Sequence, residues 1–284
     1  MKYLLLTLLL FSCQKEKPKA PKEIRPEIAS KAEVYKSLHK GWAHQGGCDS
    51  LGFTALCKAA DGCSEADIYQ AEGESGRWYR NAGKRCYDDG QSKSDISKDM
   101  FAMLFPYLYT KGDKQNLLEI YQYGKANGWV MGRGPYSRTM MTPLMILNLQ
   151  ELLGMLGVQP FDEIEKKDFE KHLDVISILG MSFKRKSILE KDLATLKKYS
   201  DASPRNALFA ATYHRFKDGD QSQAISILLD EKLFPSDRLP ASNDRCEEYL
   251  WQRDEEPSDW EPCSQGKTFD GVDFLIAAWV AGQL

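Results

Sequence analysis

This sequence predicts an all-α fold of successive antiparallel helical hairpins, arranged as an α/α toroid or a solenoid, with disulfide-bonded loops. Three observations lead there. Apolar residues recur at intervals of three and four through most of the chain, as one helical face requires, whereas the two-residue alternation of strands is scarce. Short Gly-Asp joints separate several of the periodic runs. Six cysteines, Cys48, Cys57, Cys63, Cys86, Cys246 and Cys263, lie beyond the N-terminal leader, an even number suited to three disulfides in an exported chain.

In chain order, Ile28, Ala32, Tyr35, Leu38 and Trp42 share one face of a first helix. Further runs cover Ser50 to Ala60, Ile96 to Tyr109, Gln115 to Ala126, Met140 to Leu156, Phe161 to Leu179, Ile188 to Tyr199, Asn206 to Phe216, Gln221 to Leu229 and Phe269 to Ala281. The joints "YTKGDKQNL" (Tyr109 to Leu117) and "RFKDGDQSQ" (Arg215 to Gln223) each place a glycine where one helix can end left-handed and an aspartate where the next can be capped. Helices joined so briefly run antiparallel. Three stretches without period are read as loops: Gly73 to Ser94, Val130 to Pro143 and Pro235 to Thr268. Pairing Cys246 with Cys263, and the other four cysteines among themselves, needs the shortest loops.

Charge and motifs remove several function classes. The net charge of −3 carries no nucleic-acid footprint. No P-loop, dinucleotide fingerprint or G-x-S-x-G elbow occurs. The four histidines, His39, His44, His172 and His214, are dispersed, and no cysteine pair has zinc spacing, so neither a metal nor another cofactor is expected.

The carboxylates that can carry chemistry sit at helix starts and in one loop. In "SKSDISKDMF" (Ser92 to Phe101), with Ile96, Met100, Met103, Leu104, Tyr107 and Leu108 as the buried face, about 100° per residue puts Asp99 near the edge of that face. Asp95 falls outside it and is read as a solvent-facing helix-start residue. Asp49, in "GGCDSLGF", opens the second helix in the same manner. "EGESGRWYR" supplies Glu72, Glu74, Arg77, Trp78 and Arg80, the mixture of acids, arginines and aromatics that carbohydrate sites use. "CEEYLWQRDEEPSDWEPC" (Cys246 to Cys263), with Trp251 and Trp260, suits either a disulfide-closed loop with a Trp staple or a substrate or partner surface.

The leader "MKYLLLTLLLFSC" has a basic head, an apolar middle too short to span a bilayer and a small residue before the cut, so residues 1–12 are read as a signal peptide. Leu10-Phe11-Ser12-Cys13 resembles the lipobox of bacterial lipoproteins, which implies lipidation (palmitate included) of Cys13 and attachment to a membrane. In that family a residue other than Asp after the cysteine implies the outer membrane, and here it is Gln14. The Lys-, Pro- and Glu-rich residues 13–26 read as a flexible tether, and 27–284 as a single helical domain facing the periplasm or the surface.

Hairpin helices with aspartates at their starts, plus the Trp/Arg/Glu loop, look like the α/α-toroid glycoside hydrolases and polysaccharide lyases. That architectural likeness implies a polysaccharide ligand, bound or cleaved. Under a hydrolytic reading Asp99 and one of Asp49, Glu72 or Glu74 are acid and base, with Arg77, Trp78 and Arg80 positioning sugar. The competing expectation is a non-catalytic scaffold or partner-binding lipoprotein in which the same carboxylates are caps.

Overall fold

A computed structural model describes residues 23–43, 50–84, 94–134, 137–158, 190–240 and 270–284. Within them the chain is predominantly helical. The order is α1 (Pro26–Leu38), α2 (Ser50–Ala59), a 3₁₀ turn (Ile68–Ala71), α3 (Lys98–Thr110), α4 (Lys114–Ala126), β1 (Val130–Arg133), β2 (Arg138–Met140), α5 (Pro143–Met155), α6 (Glu190–Ala202), α7 (Ala207–Lys217), α8 (Ser222–Leu228) and α9 (Val272–Val280). The periodic run over Phe161 to Leu179 lies outside the described residues.

Local chemistry sets most of the boundaries. Gly112 takes φ +66 beyond α3, and Asp113 then accepts the Asn116 N–H at 3.2 Å to cap α4, which packs back on α3. The second Gly-Asp joint differs by one residue, since the N-cap of α8 is Gln221 and Asp220 precedes it. Gly219 has φ +76, Asp220 accepts the Ser222 N–H at 3.0 Å, and α8 packs against α7. Asn206 caps α7 by accepting the Phe209 N–H at 3.1 Å. The run that begins at Met140 in the sequence becomes helical only at Pro143, capped by Thr142, because proline is pre-set for a first helical position.

One correction concerns Val130 to Pro143, read as a loop. Part of it is an antiparallel hairpin, with Val130 opposite Met140 and Arg133 opposite Arg138. Strands of four and three residues are too short to show alternation.

The core runs between helices rather than under a sheet. The last helix, α9, buries Val272, Phe274, Leu275, Ile276, Ala277, Ala278 and Val280, an apolar surface nearly all round that requires partners on several sides. It finds them in α1, α2, α7 and α8. From α2 the core continues into α3, and from α3 into α4 and α5. Residues from all these helices are thus drawn into one apolar cluster. No helix among the described residues is long and apolar enough to cross a membrane.

Candidate functional site

The Glu72 to Arg80 loop is clamped between α2, the approach to α3 and the hairpin. Arg80 is 7% exposed; its Nε donates to the Ser94 carbonyl at 2.8 Å and its N–H to the Asp95 carbonyl at 3.0 Å. The Arg80 carbonyl in turn accepts the Leu51 N–H at 2.7 Å, tying the loop to the first turn of α2. Arg77 donates through Nη2 to Asp95 Oδ2 at 2.8 Å, and its guanidinium lies 4.9 Å from the Tyr79 ring centroid. Trp78 is fully buried, beside Tyr69.

Asp95 is the hub, and its expected solvent-facing place at the helix start is corrected. It precedes α3, whose N-cap is Ser97. Besides Arg77, its carboxylate accepts the Arg133 N–H at 2.8 Å, and its own N–H donates to the Arg133 carbonyl at 3.2 Å. Thr139 adds a hydroxyl bond to the Ile96 carbonyl at 2.6 Å. A single carboxylate therefore joins the loop, the approach to α3 and β1.

The three side chains expected to position sugar have the following surroundings. Trp78 offers no face to solvent, and Arg77 and Arg80 hold internal acceptors. Asp99 lies in the first turn of α3, half-buried, and Glu74 is exposed with its carbonyl accepting the Arg77 N–H at 2.7 Å. Asp49 lies outside the described residues, as do Cys48, Cys86, Cys246, Cys263, Trp251, Trp260 and the lipidation candidate Cys13. Cys57 and Cys63 form a disulfide, with Cα atoms 5.7 Å apart.

Glu72 keeps company that sequence reasoning missed. It bridges to Trp78 across the loop, and burial, then the charges of Glu119 and Asp113, push its carboxyl above the ordinary carboxylate range. Asp113 Oδ2 accepts the Tyr69 hydroxyl at 2.7 Å, and burial followed by that bond pushes the phenol pKa up. Asp113 is legible as a cap. Its second role depends on Tyr69, 44 residues away, which no local pattern reveals.

A second polar junction joins α1 to α9. His39 Nε2 lies 3.6 Å from Asp270 Oδ2, and Gly271 and Asp273 follow at the head of α9. The sequence marks this segment only as a helix start. Among the described residues no group of three or more His, Cys, Asp or Glu side chains is placed to hold a metal ion. A comparison with protein-family models, curated proteins and solved structures finds no match to this chain.

Proposed function

We propose that this chain is a lipid-anchored envelope protein that works by presenting a helical surface to a partner, rather than by turning over a substrate. The observation that carries the reading is the inward commitment of the Arg77, Trp78 and Arg80 side chains. Residues that would hold a sugar in the open instead fasten the loop to Asp95, Ser94 and the core. The anchor rests on the lipobox-like Leu10 to Cys13 and on the tether that follows it, with Gln14 favouring the outer membrane. Helices packed as α3 with α4 and α7 with α8 support a solenoid- or toroid-like surface.

A glycan-active reading keeps one supporting observation. Glu72 is a half-buried carboxyl raised by burial and by neighbouring carboxylates, which is how general acids are prepared. Both readings are tested on the full-length protein in detergent. Labelled palmitate enters the wild type and not Cys13→Ser. Reducing-end release is then measured on cell-wall and exopolysaccharide substrates, with none expected. Release that Glu72→Gln abolishes replaces the scaffold reading with a glycosidase.

A further inference from the structure

We propose that the outer face of the β1–β2 hairpin docks on an anionic membrane surface, Arg133 and Arg138 taking headgroup phosphates while Val130 and Met140 enter the apolar boundary beside them.

The register of the hairpin decides which side chains share that face. Val130 stands opposite Met140, Gly132 opposite Thr139 and Arg133 opposite Arg138, and the ladder is irregular between Val130 and Gly132. Met131 is the extra residue of a bulge there. In an unbulged strand Val130 and Arg133 would point to opposite faces, whereas the extra residue brings both to the face of Arg138 and Met140. What the inner face touches is fixed. Met131 is buried, the Thr139 hydroxyl donates to the Ile96 carbonyl, and a Cβ added to Gly132 would stand 2.4 Å from Ile96 Cγ2 and 2.5 Å from Ser94 Oγ. The outer face is left to Arg133 and Arg138, both exposed, with Met140 50% exposed and Val130 half-buried.

Water alone serves this face poorly. Side chains directly opposite on antiparallel strands stand about 5 Å apart at Cβ, and like charges placed so are destabilising. Arg133 and Arg138 are such a pair, and among the described residues neither guanidinium has an ion pair, a hydrogen bond or a ring partner. The carboxylate that reaches β1 is committed elsewhere: Asp95 accepts the Arg133 N–H on one oxygen and Arg77 on the other. A guanidinium binds phosphate through two parallel N–H bonds, so an anion received by the pair turns repulsion into attraction.

Basic and apolar groups side by side on one exposed face fit a lipid interface; a soluble anion would have no use for Met140. The tether has the same charge sense, since Lys15, Lys17, Lys19 and Lys22 outnumber Glu16 and Glu23. Fully extended, the chain from Cys13 to Arg25 reaches at most about 40 Å, about the width of a domain of this size, so the hairpin can be turned toward the membrane that holds the anchor. This choice of surface rests on the anchored reading above, whereas the face itself rests on the described residues.

Footprinting of the full-length protein, reconstituted into vesicles of phosphatidylcholine alone or with an equal part of phosphatidylglycerol, tests the docking. A dicarbonyl reagent reads the arginines and peroxide reads Met140, both mapped by mass spectrometry. Two arginines favour an anionic over a neutral surface by about thirtyfold. Modification of Arg133, Arg138 and Met140 should therefore fall at least about tenfold in the phosphatidylglycerol vesicles and recover at about 1 M salt. Arg238, exposed on another segment, should react equally in both. Replacing both arginines, Arg133→Gln with Arg138→Gln, should leave Met140 as reactive in anionic as in neutral vesicles. Unchanged modification of the three residues overturns the proposal, as does a fall that Arg238 shares. Protection of the arginines by inorganic phosphate in neutral vesicles, with Met140 still reactive, replaces the membrane with a soluble anion. Protection that grows with protein concentration in detergent replaces it with a second copy of the chain. Cys13→Ser separates the face from the anchor: protection kept while palmitate labelling fails removes the anchor alone, and labelling without protection removes the docking alone.

Discussion

Arg77 and Asp95, eighteen residues apart, meet at 2.8 Å and fix a loop to a helix that begins beyond both of them. The guanidinium and the carboxylate are 30% and 21% exposed, so water weakens the pair without dissolving it. Because Asp95 also accepts the Arg133 N–H, the pair belongs to a three-way junction rather than to a surface ion pair.

Removing the hub should therefore cost more than removing one spoke. Asp95→Ala strands the Arg77 guanidinium and the Arg133 N–H together, and about 1–3 kcal/mol of stability is expected to go. Arg77→Met leaves Asp95 its backbone donor and should cost less. Urea denaturation of the two single variants and the double variant measures both effects. Additive losses would show that Arg77 and Asp95 are not coupled.

What could be read from the sequence was local. The Gly112-Asp113 and Gly219-Asp220 joints were legible because a left-handed glycine and an aspartate that accepts a nearby N–H, as the cap at Asp113 and one residue before the cap at Asp220, act within a few residues of themselves. The helices were legible because their period follows from burying one face, and α9 was marked by apolar residues on nearly every side. Asp95 was not legible: its partners stand 18 and 38 residues away, and nothing in "SKSDISKDMF" distinguishes a bonded carboxylate from a solvated one. Trp78 shows the same limit. Composition announces an aromatic in a charged loop but does not say which way the ring turns, and here it turns into the core.

A second junction on α1 should make stability depend on acid. Lys31 is buried, its ammonium donating to the Leu228 carbonyl at 3.1 Å and pairing with Glu231 at 2.9 Å. The Ser236 hydroxyl, and then Lys31, hold the Glu231 carboxyl down at about 2, below its ordinary value of about 4.3. A depressed carboxyl contributes stability that is present above the unfolded value and lost as pH falls toward the folded one. Thermal midpoints should thus drop between about pH 4.5 and pH 2. Glu231→Gln should remove that part of the drop, and an unchanged acid slope in the variant would discount the pair. Asp273 has the opposite sign, since its raised carboxyl makes stability decline as pH rises from about 4 toward 7.

The disulfide between Cys57 and Cys63 fastens α2 to the turn that follows it, and both cysteines are fully buried. Closing so short a loop is expected to stabilise the chain by about 2 kcal/mol. Cys57→Ala combined with Cys63→Ala should lower the denaturation midpoint accordingly. Peptide mapping without reduction should recover this link. With Cys57 and Cys63 joined, shortest-loop pairing predicts Cys48 with Cys86 and Cys246 with Cys263 as the other two. A free thiol at any of those four positions would contradict that pairing.

The tightest seat of the Glu72 to Arg80 loop is Gly76. Its φ is +77, and a Cβ there would lie 2.1 Å from the Glu119 carbonyl oxygen and 2.8 Å from Tyr123 Cβ. Both obstacles belong to α4, and the nearer one is helix backbone, so no rotamer change can make room. Gly76→Ala must move the turn away from α4 as well as accept a left-handed alanine, which itself costs about 1–2 kcal/mol. The loss expected is larger than that of Asp95→Ala, because moving the turn also pulls Arg77 from Asp95 and loosens the cover over Trp78. Chemical denaturation gives the total, and Trp fluorescence reports the site. A variant as stable as the wild type with unshifted emission would show that the loop does not depend on its contact with α4.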